Sequence, residues 1–269
     1  MGGLSAHFLF NDYNYSTMRK PAALANWKMA MTVAESLAFV HEFLSCAGDL
    51  LDDVEVILCP PFTALWAVAQ AVRGTPLEVA GQDFSPYEDS AHTGEISAAL
   101  LKEAGCSRVL VGHWETRRRF VEDDAGVNRK IRLALRHDLR PVVLAGEEHG
   151  VPMDSLRDRL DVLLSGLSDQ EARSLAFIYE PETAIGASQP LSANHAATGC
   201  TLIRGWMRAH WGAETAEAVP VLYGGSVAPE FAPGLAAHAD VDGLGAGRKG
   251  RSTAEFAEIV RLIRQAKYT

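Results

Sequence analysis

Much of what marks other functional classes is scarce or missing in this 269-residue chain. It has four cysteines, Cys46, Cys59, Cys106 and Cys200, with no CxxC spacing. Each lies within an apolar segment, which argues against a disulfide framework or a thiolate zinc site and favours reduced core thiols in a cytoplasmic protein. Basic residues are outnumbered, 25 Lys and Arg against 34 Asp and Glu, for a formal net charge of −9. A nucleic-acid partner would draw on the opposite excess. No apolar run approaches the length of a membrane span. The opening MGGLSAHFLFNDYNYST lacks the basic segment and long apolar stretch of a signal peptide. Residues 1–20 are therefore expected to be a disordered N-terminal extension, or the product of a start placed too early, with Met18 the alternative beginning.

What is present is ordinary globular composition, 48% hydrophobic and 22% charged, arranged with unusual regularity. Short runs rich in apolar and β-branched residues recur as ALANW (23–27), VEVILC (54–59), LEVAG (77–81), RVLVG (108–112), PVVLAG (141–146), LAFIYE (175–180), VPVLYG (219–224) and VDGLGAG (241–247). Continuous apolar runs of this length suit parallel strands buried on both faces. Stretches of helical period lie between them, such as VAESLAFVHEFLSCA and AGVNRKIRLALRHDL, and later EISAALLKEAG and STAEFAEIVRLIRQAK. Eight strand–helix units without a break in composition predict a single α/β domain over residues 21–269, a closed eightfold β/α barrel. The alternative, an open doubly wound sheet, loses ground because no GxGxxG follows the first strand.

A barrel also predicts where function lies, since its active site forms at the C-terminal strand ends. Asn26 and Lys28 follow the first strand, His113 and Glu115 the fourth, and Glu180 ends the sixth. The seventh and eighth end in glycine-rich Gly224-Gly225-Ser226 and Gly245-Ala246-Gly247. His113 and Glu115 are two apart, so extended backbone there would put them on one face. Singly, each of these residues is accounted for as well by packing or solvation; together on one rim they are not. Glu180 emerges from a buried run, as suits a general base, and the following PETAIGAS, between Pro181 and Gly186, suits a hinged lid. A neutral His113 can donate to a substrate oxygen, and Lys28 can stabilise developing negative charge. Glycine-rich turns offer backbone N–H groups to a phosphate. The set describes proton abstraction next to a carbonyl on a small phosphorylated sugar. No HxH follows the first strand, and an isolated HxE is weak support for zinc, so no metal is expected.

In order and spacing, ANWKM, GHWETR, YEPETAIGAS, YGGSV and VDGLGAG resemble the signature segments of the triosephosphate isomerase family, and the similarity runs from about Ala22 to the last helix. The resemblance implies the TIM barrel and a cofactor-free aldose–ketose isomerase. Glu180 would shuttle the proton through an enediolate, and His113, kept neutral by a helix N-terminus, would polarise the carbonyl. Lys28 and Asn26 would assist, and Glu115 would pair with and orient Lys28. Backbone N–H groups of Gly186, Ser226, Gly247 and Arg248 would hold the phosphate. Arg117 falls on a supporting arginine of the family, and the 82–95 loop matches a long third loop, implying a homodimer with Thr93 near the partner's Asn26.

Departures accompany the matches. Trp114 stands where the family usually has serine, and Thr116 where it usually has arginine. Glu182 and Thr183 replace the valine and tryptophan of the usual lid hinge, so Glu147 has lost its usual tryptophan partner. Arg248 replaces the second glycine after strand eight, as in a branch acting on four-carbon ketose phosphates. Three functions follow: a triose-phosphate isomerase, a tetrulose-phosphate isomerase with the same mechanism, and a non-catalytic sugar-phosphate-binding paralogue motivated by the altered lid and Trp114.

Overall fold

The computed structural model describes residues 19–88 and 91–268; the expected extension over residues 1–20 lies almost wholly outside them. Eight parallel strands close into a barrel in sequence order: β1 (Ala22–Asn26), β2 (Glu55–Cys59), β3 (Glu78–Gly81), β4 (Arg108–Val111), β5 (Arg140–Ala145), β6 (Ala176–Tyr179), β7 (Val221–Gly224) and β8 (Gly243–Ala246). Closure is made by β1 against β8, with Ala22 beside Gly243 and Ala25 beside Ala246. The helices outside are α1 (Val33–Ala47), α2 (Phe62–Ala71), α3 (Ala98–Glu103), α4 (Trp114–Phe120), α5 (Asp124–Arg136), α6 (Ser155–Leu163), α7 (Asp169–Ala172), α8 (Ala193–Ala218), α9 (Ala232–Ala236) and α10 (Thr253–Tyr268). No helix among the described residues is long and apolar enough to cross a membrane.

Two cores explain why the strands read as unbroken apolar runs. Leu24, Ile57, Leu110, Leu144, Ile178 and Leu222 fill the inside of the barrel. Their alternating neighbours, including Ala25, Val56, Val111, Val143, Phe177 and Tyr223, pack outward against the helices. Side chains alternate faces along a strand, so both faces demand apolar residues. Trp27 ends just outside β1, fully buried, edge-on to Phe39 at 4.9 Å, with its indole donating to the Gly250 carbonyl at 2.9 Å.

Each expected strand is present, most of them trimmed by a residue or two. Pro220 has no N–H to give the ladder, so β7 begins at Val221. The 241–247 segment pairs as strand over Gly243–Ala246; just before it, Asp242 donates its N–H to the Val221 carbonyl at 2.8 Å and accepts the Ala22 N–H at 3.0 Å, while its carboxylate holds Arg19, Arg204 and the Val221 N–H. Among the cysteines, Cys59, Cys106 and Cys200 are buried, and burial pushes the Cys106 thiol up to about 12. Cys46 departs from expectation: it sits on the outer face of α1 and is exposed.

Candidate active site

A cavity of about 670 Å³ opens at the C-terminal strand ends. Asn26, Lys28, His113, Glu115 and Glu180 line it together with Gly186, Ser226, Gly247 and Arg248, so all nine sequence-selected residues meet in one place. They come from five strand ends and their loops, which is what a parallel barrel does with residues far apart in sequence.

The His113–Glu115 pair is arranged differently from the expected extended strand end. β4 stops at Val111, and His113 caps α4 from extended backbone, with φ −60° and ψ 136°. Its Nδ1 accepts the Glu115 N–H at 3.0 Å, leaving the ring proton of the neutral imidazole on Nε2. Glu115, in the first helical turn, reaches across to Lys28, whose Nζ donates to Oε1 at 2.7 Å. Burial raises the Glu115 pKa, but the Lys28 hydrogen bond and charge outweigh it and hold the carboxyl below its ordinary value. Lys28 itself sits at φ +54°, an uncommon conformation for a residue with a side chain. That turn is braced by Asn26 Oδ1, which accepts the Lys28 N–H at 3.0 Å, and by Gln82, whose amide donates to the carbonyls of Lys28 and Cys59, both at 2.9 Å.

Glu180 follows β6 and is buried. Its Oε2 lies 3.6 Å from His113 Nε2 and has no hydrogen-bond partner among the described residues. An unpartnered buried carboxylate oxygen is costly and tends to mark function. The backbone around it is held firmly: the Glu180 N–H donates to Ala145 of β5 at 2.9 Å, and its carbonyl accepts the Trp114 indole N–H at 2.8 Å. Space for the carboxylate comes from Gly224, where a Cβ would lie 2.6 Å from Ile178 and 3.4 Å from Glu180 Oε1.

The segment 181–191 after β6 lies down across the loops of β7 and β8. Leu191 N–H donates to Tyr223 Oη at 3.1 Å, and Ser226 Oγ, at φ +49°, lies 2.7 Å from the Ala187 carbonyl. Arg248 donates from Nη2 to that same carbonyl at 2.8 Å. Its backbone is right-handed helical, φ −55° and ψ −45°, so the position does not require glycine. At the other end of the segment, Glu182 Oε1 accepts Arg118 Nε at 2.8 Å and Oε2 accepts the His149 N–H at 2.7 Å. Glu147, expected to have lost its partner, accepts from Tyr179 Oη at 2.9 and 3.0 Å and lies 3.2 Å from His195 Nε2. Arg117 is buried under the rim, donating to the Gly112 carbonyl at 2.9 Å and pairing with Asp124 at 2.7 Å.

The residues that sequence reasoning passed over are Gln82, Arg118 and Tyr223, together with the destination of the Trp114 indole. All act through backbone groups or through other side chains, for which a sequence carries no motif. No cluster of three or more His, Cys, Asp or Glu suited to a metal occurs among the described residues.

Comparison with known proteins agrees over almost the same span. The profile of the triosephosphate isomerase family matches residues 21–263. The triosephosphate isomerase of Solibacter usitatus is 37% identical over 250 residues, covering 91% of this chain and 100% of that protein. That of Chloroflexus aurantiacus is 38% identical over 248 residues, with 90% and 99% covered. Among solved structures, triosephosphate isomerase from Bartonella henselae superposes with a TM-score of 0.80 at 30% identity, covering 91% and 99%. With the closed barrel and the convergent rim, these matches establish that the chain belongs to the triosephosphate isomerase family.

Proposed function

We propose that this protein interconverts glyceraldehyde 3-phosphate and dihydroxyacetone phosphate by enediolate proton transfer. The observation that carries the reading is the Glu180 carboxylate, buried, without a hydrogen-bond partner at Oε2 among the described residues and 3.6 Å from His113 Nε2. A ligand seated in the cavity across both groups would accept the Nε2–H hydrogen bond at its carbonyl oxygen while its α-carbon faced the carboxylate. Glu180 takes the proton from that carbon and the enediolate oxygen gains charge beside His113 and the Lys28 ammonium. His113 Nε2 gives its proton to the former carbonyl oxygen and takes one from the neighbouring hydroxyl, and the protonated Glu180 then returns the proton to the neighbouring carbon. Asn26 and Glu115 hold Lys28 from its backbone and its ammonium. The phosphate is assigned to the N–H groups of Gly186, Ser226, Gly247 and Arg248, which share the other end of the cavity. The closed segment excludes water, which protects the intermediate from losing its phosphate.

The triose substrate is favoured over a tetrulose phosphate because the Arg248 guanidinium already bonds the Ala187 carbonyl rather than standing free for a longer ligand. A non-catalytic binder is disfavoured because holding a phosphate calls for neither the fixed His113 tautomer nor the bare Glu180 oxygen. The assembly we propose is a homodimer in the cytoplasm. Its support is the 82–95 loop, closed at its base by Ser85 N–H to the Ile96 carbonyl at 2.8 Å and carrying the half-exposed Tyr87. Its tip would put Thr93 by the partner's Asn26.

The test is exchange of the substrate's α-hydrogen with deuterated water, alongside kcat/KM for the triose and tetrulose phosphates. Wild type should exchange and isomerise the triose best. Glu180→Gln should lose about 10²- to 10⁴-fold in kcat, the usual share of a general base, while still binding inorganic phosphate. A variant with near-normal kcat removes Glu180 from the mechanism. A tetrulose preference that collapses in Arg248→Gly removes the triose assignment.

A further inference from the structure

α4 begins immediately after His113, and two of its side chains, one turn apart, reach the same neighbouring segment. Residues at i and i+4 share a helix face. From that face the Trp114 indole N–H meets the carbonyl of Glu180 at 2.8 Å, and Arg118 Nε meets the carboxylate of Glu182 at 2.8 Å. Between the two gripped residues stands Pro181, whose ring holds φ at −67°. Glu182 is held a second time, by the His149 N–H, and its own N–H donates to the Glu147 carbonyl at 3.0 Å.

The Trp114 ring is itself fixed. It is 7% exposed, with the guanidinium of Arg159 4.7 Å and that of Arg117 5.7 Å from its ring. Cations over an indole face are attractive and directional. Arg159 is tied in turn to the Gly146 carbonyl at 3.0 Å, at the end of β5. The peptide that carries Glu180 is therefore set by side chains anchored in the barrel wall.

We propose that Trp114 and Arg118 form a clamp that fixes the Glu180 carboxylate against His113, and that both are positioning residues for the proton transfer. The proposal rests on the reading of Glu180 as the base. Its logic is that His113 and Trp114 are adjacent in sequence, so one turn of backbone sets both the hydrogen-bond donor and the anchor of the base. The distance between them is then insensitive to movement of the lid tip at residues 186–188. Misplacing a reacting group by a fraction of an ångström costs rate rather than affinity. The clamp lies on the opposite end of the lid from the contacts of Ser226 and Arg248, so phosphate binding does not depend on it.

The experiment compares Trp114→Phe, Arg118→Met, Arg118→Lys and the Trp114→Phe/Arg118→Met double variant. Phenylalanine keeps an aromatic face for the arginines and removes the N–H donor; lysine keeps a cation for Glu182. Measured quantities are kcat, KM, the inhibition constant of inorganic phosphate, and the isotope effect on kcat with α-deuterated substrate. We expect kcat to fall about tenfold in each of Trp114→Phe and Arg118→Met, with KM and phosphate inhibition unchanged. The isotope effect should rise as proton transfer becomes limiting. Arg118→Lys should recover most of kcat, and the double variant should lose less than the product of the single losses, as for residues acting as a unit. Wild-type kcat and isotope effect, or parallel losses in kcat and phosphate affinity, would overturn the clamp. If Trp114→Phe does not fold, Arg118→Met and its lysine rescue decide the matter, because Arg118 is largely exposed. Glu180→Gln separates the two hypotheses: an active variant defeats the base assignment, whereas an inactive one beside unaffected clamp variants defeats the clamp alone.

Discussion

Gly225 packs tightly under the lid, and Gly225→Ala turns that into a measurable loss. The residue sits at φ +134°, and a Cβ there would lie 2.5 Å from the Ala184 Cβ and 3.1 Å from Tyr223 Oη. The first contact is with the lid itself, so the methyl group and the closed lid cannot share the space. Opening forfeits the Leu191–Tyr223, Ser226–Ala187 and Arg248–Ala187 hydrogen bonds. At roughly 1 kcal/mol each, the closed state loses about 3 kcal/mol, or about a hundredfold in population. The assay is kcat/KM for glyceraldehyde 3-phosphate, with inorganic phosphate release followed in the same reaction. The variant should lose about a hundredfold in kcat/KM and release more phosphate per turnover, because an enediolate exposed to water eliminates it. Gly234→Ala is the control: it lies in α9 with open space around its Cβ and should leave both readouts unchanged. If Gly225→Ala matched wild type in both, lid closure over β7 would have no part in turnover.

Three further outcomes follow from the same geometry. Lys28→Ala should raise KM and lower kcat together, by about 10²- to 10³-fold in the latter, since it removes the charge nearest the proposed enediolate; a change in KM alone would reassign Lys28 to binding. Tyr179→Phe should destabilise the fold by about 1–3 kcal/mol, read as a lowered denaturant midpoint, because it deletes the hydroxyl that serves the buried Glu147; an unchanged midpoint would mean that His195 suffices. In acid, Glu78 should matter most. Burial raises its pKa, but Arg108 and Arg140 outweigh that and hold it below the ordinary carboxylate value. A lowered folded pKa gives stability that is present above the unfolded value, about 4.3, and is lost as pH falls below it. Glu78→Gln should therefore flatten the decline of Tm below that pH, and equal slopes for variant and wild type would exclude Glu78 as the source.

Barrel and rim were legible because both rest on local rules. A strand covered on two faces must be apolar throughout, so LAFIYE and RVLVG announce themselves. A polar residue directly after such a run has nowhere to go but the rim, which exposes Asn26, His113 and Glu180 together. Strand ends were less legible because they depend on partners far off in the chain: β8 begins where Gly243 pairs with Ala22 of β1 and Leu222 of β7, which no window around residue 242 reveals. Cys46 misled for a similar reason. Apolar neighbours in sequence say that α1 is amphipathic, but the face on which residue 46 falls is decided by Phe39, Val40 and Phe43 pointing inward.

The departures from the family pattern were visible as letters but not as interactions, and the two ends of the lid show why. Glu182 looked like the loss of an apolar hinge; in place it exchanges packing for bonds to Arg118 and His149. Arg248 looked like an intrusion on a glycine; its helical backbone removes the need for glycine, and its side chain ties down Ala187. Burial raises the Glu147 carboxylate's demand for donors, and Tyr179 and His195 meet it where a tryptophan was expected. Glu182 and Arg248 therefore each bring polar contacts to the lid region. Such exchanges keep Glu180 and His113 in register while altering the groups that hold the lid. On the proposed mechanism, proton transfer depends on how Glu180 and His113 are placed, 3.6 Å from Oε2 to Nε2 here, and not on which side chains enforce that placement.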